Sequence, residues 1–180
     1  MTAMTVRTAT ALISADEFLS QDHPIGSELI DGVVYLNDPN FRHQLLCSRI
    51  NEALLLWSRG SDGQGRPGWG GNWVLTDRNV YKPDVWWMAN APSGSRHDGP
   101  PDLGVEVRSP GTWHRDIGRK LKRYHEAGTQ ELWLVDTPAN TVLVFRTGAF
   151  SEPREVAPGQ QLTSPLLPGF ALPIDELFAE

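Results

Sequence analysis

The sequence predicts a single α/β domain: a mixed central sheet with a helix on either face and a hairpin near the N-terminus. Three observations carry this. Leu103-Gly104-Val105-Glu106-Val107 and Glu131–Asp136 are short, mostly apolar runs bounded by turn residues, as buried strands are. Between them, residues 113–127 have the length of a helix, fed by the turn Ser109-Pro110-Gly111-Thr112 and stopped by Gly128. Upstream, Leu45, Leu46, Ile50, Ala53, Leu54 and Trp57 recur at helical spacing and form the buried stripe of a long helix over residues 40–58.

In chain order, residues 1–10 show no periodic pattern and are expected to fray. Ser14-Ala15-Asp16-Glu17 reads as a helix start, with Ser14 as N-cap and Glu17 as its capping-box partner. Glu28-Leu29-Ile30-Asp31-Gly32-Val33-Val34-Tyr35 reads as a hairpin, because Asp-Gly between apolar runs favours a tight turn. The long helix follows. Residues 60–71 are glycine-rich and aperiodic, so they read as a mobile loop. Strands are expected over Asn72–Thr76 and over 80–88, with a polar loop at 89–100. A last strand, Thr141–Arg146, follows Glu131–Asp136 across a short connection. From Gly148 the pattern weakens, and Asp175-Glu176-Leu177-Phe178 reads as a closing helical turn. One domain over residues 1–180 is expected, with its core over about 14–146.

Composition narrows the function. The single cysteine, Cys47, excludes an intrachain disulfide framework and a cysteine-rich zinc site, and reads as a buried inert thiol. No stretch approaches the roughly 18 apolar residues of a membrane span, and no signal-peptide pattern opens the chain, so a soluble cytoplasmic protein is expected. The net charge of −6 requires any nucleic-acid contact to come from a local basic patch. Seven tryptophans suggest an apolar core and a sticky surface or homodimer seam.

The chemistry concentrates at two acids. Glu106 lies at the centre of its apolar strand and faces away from Val105 and Val107. A carboxylate there is unfavourable unless a cation meets it, and on spacing alone that cation is slightly favoured to be a basic side chain across the sheet. Asp84 stands between Pro83 and Val85-Trp86-Trp87-Met88, in a comparable place. Two such strands could bring two carboxylates together as a hard-cation site. The nearest basic stretch is the helix after Glu106, with Arg115, Arg119, Lys120, Lys122 and Arg123, which reads equally as a phosphate-binding face or a solvated one. Lys120 lies one helical turn from Asp116, so the two could form a surface ion pair. A triad of Ser109, His114 and Asp116 lacks the glycines of a nucleophile elbow. No phosphate-cradling Gly-x-x-x-x-Gly-Lys motif occurs.

The string Pro101-Asp102-Leu103-x-Val105-Glu106-Val107-x-Ser109-Pro110 resembles the Uma family of putative restriction endonucleases. So do Asp116-x-x-x-Lys120-x-x-x-Tyr124, Ala127-Gly128 and Glu131-Leu132-Trp133-Leu134-Val135-Asp136, with the Glu28 hairpin, His43 and Pro83-Asp84-Val85 in the same order. The resemblance covers about residues 14–146. It implies a restriction-endonuclease-like fold of the PD-(D/E)XK superfamily and a phosphodiesterase site dependent on Mg2+ or Mn2+. Carried over by position, Asp84 and Glu106 are the metal-binding catalytic acids, Glu28 supports the metal, and Lys120 is the catalytic lysine. The superfamily's usual lysine position holds Arg108, which stays protonated and could clamp phosphate. Gly111 stands where the family usually has serine. Arg108, Arg119, Lys122 and Arg123 become candidate substrate contacts, and His43, Asp102 and Asp116 candidates for supporting positions. Tyr124 reads as packing. The implied partner is nucleic acid, DNA favoured over RNA. A competing reading is a non-catalytic nucleic-acid- or protein-binding assembly module on the same fold.

Overall fold

The computed structural model describes residues 12–37, 39–60, 64–90, 92–108 and 113–179, with side chains in the last segment from residue 118. In chain order the elements are α1 (Ala15–Ser20), β1 (Ser27–Ile30), β2 (Val33–Leu36), α2 (Phe41–Arg59), β3 (Arg66–Gly68), β4 (Asn72–Thr76), β5 (Asn79–Tyr81), β6 (Val85–Met88), β7 (Arg96–Asp98), β8 (Leu103–Val107), α3 (Trp113–Ala127), β9 (Glu131–Asp136), β10 (Thr141–Arg146), β11 (Arg154–Val156), β12 (Gln161–Leu162), β13 (Leu172–Pro173) and α4 (Ile174–Leu177). A five-stranded sheet has the order β2-β1-β5-β4-β7, and a six-stranded sheet the order β11-β10-β9-β8-β6-β3. β12 and β13 form a separate small pair.

Local chemistry explains the first elements. Ser14 accepts the Glu17 N–H at 3.2 Å while Glu17 takes the Ser14 N–H at 2.7 Å, closing the capping box. Asp31 and Gly32 both have positive φ, and β1 pairs antiparallel with β2 across them. Asn40 caps α2 by accepting the His43 N–H at 2.9 Å. The α2 stripe is His43, Leu46, Cys47, Ile50 and Leu54. Leu45, expected in it, is 45% exposed, because the stripe turns toward Cys47 instead.

The larger sheet is covered on both faces. Leu103, Val105 and Val107 of β8, with Trp133 and Val135 of β9, pack against Leu46, Ile50 and Leu54 of α2. Leu132 and Leu134 face the other way, toward Tyr124 of α3 and toward Ile30 and Tyr81 of the smaller sheet. β8 pairs antiparallel with β6 and parallel with β9, and α3 makes the crossover between the parallel strands. All five residues of β8 are buried, so Glu106 sits in the α3-facing layer beside Leu134.

Four expectations need correction. The single strand over 80–88 is two strands in different sheets, β5 and β6, joined by Lys82-Pro83-Asp84. Pro83 has no N–H to continue a ladder, and the chain crosses between sheets there. The glycine-rich segment after α2 contains β3, which pairs with β6, and the polar segment after β6 contains β7, parallel to β4. Packing also extends beyond residue 146, since Leu162, Leu167, Phe170, Leu172, Ile174 and Leu177 complete the α2-side core.

Candidate active site

The seam between the two sheets gathers four of the predicted residues. Glu28 comes from β1, Asp84 from the crossing segment, Glu106 from β8 and Lys120 from α3. The Lys120 ammonium lies 2.9 Å and 3.0 Å from the two Glu28 oxygens and 3.0 Å from Glu106 Oε2. It also stands over the Tyr81 ring, 5.5 Å from the centroid. Glu28 Oε1 further accepts the Lys82 N–H at 2.8 Å, which ties β1 to the crossing segment. Tyr124, one turn after Lys120 on α3, donates its hydroxyl to Glu106 Oε1 at 2.8 Å. Lys120 therefore pairs with these acids, and each Glu106 oxygen accepts one hydrogen bond while keeping a second lone pair.

Asp84 makes a different set of contacts. Its Oδ2 accepts the Val107 N–H at 2.8 Å and lies 3.1 Å from His43 Nε2. Both contacts are at Oδ2, so Oδ1 is engaged by neither. Cys47 Sγ is 3.5 Å from His43 Nδ1, and ligand atoms of His43, Cys47 and Asp84 lie within 4.8 Å of one another. Burial beside Asp84 and Glu106 pushes the Cys47 thiol far up, so it is a neutral thiol at neutral pH. Of this trio, Asp84 is the hard oxygen donor.

The cluster is short of positive charge. Glu28, Asp84 and Glu106 supply three carboxylates against the one ammonium in contact with them, Lys120. Fully ionised, that leaves two negative charges, offset in part by Lys82, whose charge acts on Glu28, and by His43 when protonated. Burial pushes the Glu106 carboxyl up to about 7, against the pull of Lys120, and Asp84 and Glu28 add to the rise. Glu106 and Glu28 hold Lys120 well above the ordinary lysine range despite its burial. Burial pushes His43 down, but its hydrogen bond and charge interaction with Asp84 outweigh this and leave it raised. Between about 4.5 and about 7, folded Glu106 retains a proton that the unfolded chain has released. Stability from this group is therefore full below that window and lost as pH rises through it; raised His43 acts in the same direction. Urea midpoints in EDTA at several pH values should show this fall in the wild type and a flatter profile in Glu106→Gln. Equal slopes in the two proteins would refute the shift.

The other predicted residues lie elsewhere. Arg108 is partly buried and pairs with Asp136 at 2.8 Å. Arg119 is exposed. Lys122 pairs with Glu126 at 3.7 Å, and Arg123 with Asp31 at 2.9 Å and Glu126 at 2.8 Å, so much of the basic face is matched by acids. Asp102 is four residues from Glu106, about 13 Å along an extended strand. It accepts the Ala89 N–H and the Gln130 side chain, bracing loops at the far end of β8. The Asp116 side chain and the turn 109–112, including Gly111, lie outside the described residues. Tyr124, expected to serve only packing, meets Glu106 directly. The signal was its spacing of four from Lys120, which puts both on one helix face; His43 and Cys47 share that spacing.

Glu28, His43 and Asp84 line a cleft of about 670 Å³ together with Asn37, Gln44, Asn51, Asn72 and Trp69. Among the described residues, no helix is long and apolar enough to cross a membrane.

This geometry can be set beside known proteins. A crystal structure of a putative nuclease belonging to DUF820, from Anabaena variabilis, superposes with a TM-score of 0.80 at 22% identity, covering 92% of this chain and 97% of that one. That likeness establishes the fold, a mixed α/β architecture of the restriction-endonuclease-like kind. None of the curated proteins compared matches the chain. The family description "Putative restriction endonuclease" matches residues 15–175, a span that holds Glu28, Asp84, Glu106 and Lys120 alike. The chain belongs to the Uma2 family.

Proposed function

We propose that this protein is a divalent-metal-dependent nuclease that hydrolyses phosphodiester bonds in nucleic acid, with Asp84 and Glu106 as metal ligands and Glu28 in support. The observation that carries this is the gathering of three carboxylates around the seam with Lys120 as the one ammonium in contact with them. Burial first, and then Asp84 and Glu28, push Glu106 up to about 7. A fold gains little from burying two acids on one lysine with a third acid beside them, whereas a cation site requires such a concentration of carboxylates. The donor set is oxygen-rich and suits Mg2+ or Mn2+. When bound, the ion would neutralise charge on the phosphate and make a coordinated water more acidic.

The chain's own residues do the rest. Tyr124 and Lys120 fix the two oxygens of Glu106, and His43 with the Val107 N–H fixes Asp84. Lys120 spends its contacts on Glu28 and Glu106; by giving up one to Glu28 it would meet the attacking water or a phosphate oxygen and offset developing charge. Arg119 on the exposed face of α3 would add a phosphate contact. DNA is the favoured substrate over RNA, and a homodimer fits the tryptophan content.

Calorimetric titration with Mg2+ and with Mn2+ tests the site, on the wild type and on an Asp84→Asn/Glu106→Gln double variant, with and without oligonucleotide. Binding should appear in the wild type and vanish in the variant. Silence in every condition would sink the enzyme reading and leave a nucleic-acid- or protein-binding assembly module, which the chain's net charge of −6 would then favour.

A further inference from the structure

The cleft beside the acids is built unlike a duplex-binding groove. Its volume of about 670 Å³ lies in the range of small-molecule pockets, about 300–1,000 Å³, enough for a nucleotide but not for a double helix. Duplex binding draws its affinity from basic side chains that neutralise phosphates. Among the described lining residues, Lys82 is the only lysine or arginine. The wall is instead rich in amides: Asn37, Gln44, Asn51 and Asn72. The side-chain oxygens of Asn51 and Asn72 are buried and have no hydrogen-bond partner among the described residues. A buried amide oxygen left unmatched costs free energy, and because both residues line the cleft, a turn of either side-chain amide would bring that oxygen to a ligand that supplies donors. An amide offers a donor and an acceptor side by side, the complement of a base edge.

The mouth of the cleft carries the second feature. Trp69 is 72% exposed, yet its backbone is pinned. The neighbouring Gly70 donates its N–H to the Pro83 carbonyl at 2.9 Å, next to Asp84. The Gly70 carbonyl accepts the indole N–H groups of both Trp73 and Trp86 at 3.0 Å. Those two rings meet edge to face at 5.2 Å. Gly70 and Gly71 both adopt positive φ, the conformation that permits this tight chain reversal. An indole displayed in water on a firmly held backbone, beside a cleft that carries four side-chain amides, is suited to stacking rather than to the core.

We infer that the cleft takes a single unpaired nucleotide, stacked on Trp69 and read by the amides of Asn51 and Asn72. The substrate class is then single-stranded nucleic acid, or a strand with a nucleotide splayed out of its helix. The proposed nuclease activity enters only through the placement of a phosphate near Asp84; base binding stands apart from it.

The test is fluorescence anisotropy of the full chain, with calcium in place of magnesium to keep strands intact. The probes are a labelled short DNA strand, the same strand carrying abasic residues, its RNA counterpart and its blunt duplex. The single strand should bind about ten-fold or more tightly than the abasic strand or the duplex, since stacking on one aromatic contributes about that much. The DNA and RNA arms identify the natural strand. Trp69→Ala should lose about ten-fold on the single strand, with duplex binding unchanged within two-fold and an unaltered Tm; Trp69→Phe should recover most of the loss. Asn51→Leu and Asn72→Leu should each weaken binding of the normal strand but not the abasic one. Equal affinity for normal and abasic strands, no preference over duplex, no binding of any probe, or indifference to Trp69→Ala would each overturn the inference. Base-dependent binding without cleavage in magnesium would refute the nuclease reading alone, and duplex cleavage indifferent to Trp69→Ala would refute this inference alone.

Discussion

Glu106→Gln is expected to lower phosphodiester cleavage by about 10³-fold, the upper end of what one electrostatic stabiliser contributes to kcat. The substitution keeps the size of the side chain and an acceptor for the Tyr124 hydroxyl or the Lys120 ammonium, but removes the charge that a cation would need. The neutral amide suits a site where burial already pushes the acid up to about 7, so the fold should persist and circular dichroism should match the wild type. Cleavage of labelled strands in Mg2+ and Mn2+ measures the effect. A variant within about three-fold of wild type would remove Glu106 from the chemistry. An assembly module would behave differently: neither protein would cleave, and both would hold their partner equally well.

Lys120→Met should have the largest effect on stability, a loss of about 3–5 kcal/mol in urea unfolding at neutral pH. The ammonium is the shared partner of Glu28 and Glu106, both buried, and its removal leaves two carboxylates facing each other in a poorly solvated layer. Neutralising the acids as well, in Glu28→Gln/Glu106→Gln/Lys120→Met, should restore most of the loss, because uncharged groups of similar shape are tolerated where an unpaired charge is not. The deficit of the single variant should shrink toward acidic pH, as Glu106 takes up a proton. A single variant within about 1 kcal/mol of wild type would mean that the pairing contributes no more than an exposed ion pair does.

Much of this architecture was written locally. The Ser14–Glu17 box, the Asp31-Gly32 turn and the β8–α3–β9 unit rest on contacts within a few residues or on plain periodicity. Elements fixed by distant partners escaped. β3 and β7 are three residues each, contain or adjoin glycine and proline, and exist because β6 and β4 pair with them. The break at Pro83 was visible as a residue, but its consequence, a change of sheet, was not. The convergence of Glu28, Asp84, Glu106 and Lys120 followed the family resemblance, whereas spacing alone favoured a basic partner for Glu106. Glu106 does meet a basic partner, Lys120, but it comes from helix α3 and not from across the sheet. The matched charges on Lys122 and Arg123 depend on Asp31 and Glu126 lying nearby, and only Glu126 could be anticipated from helical spacing.

The crossing at Lys82-Pro83-Asp84 has a mechanical meaning as well as a chemical one. Glu28 belongs to one sheet and Glu106 to the other, and Lys120 grips both from a helix that belongs to neither. The three ionic contacts act as a rivet through the seam where the two sheets meet. A displacement of one sheet along the other would stretch these contacts. The alignment of the acids is thus a gauge of how firmly the two halves are docked, and a strand drawn into the cleft would press on the fastening that keeps the halves in register.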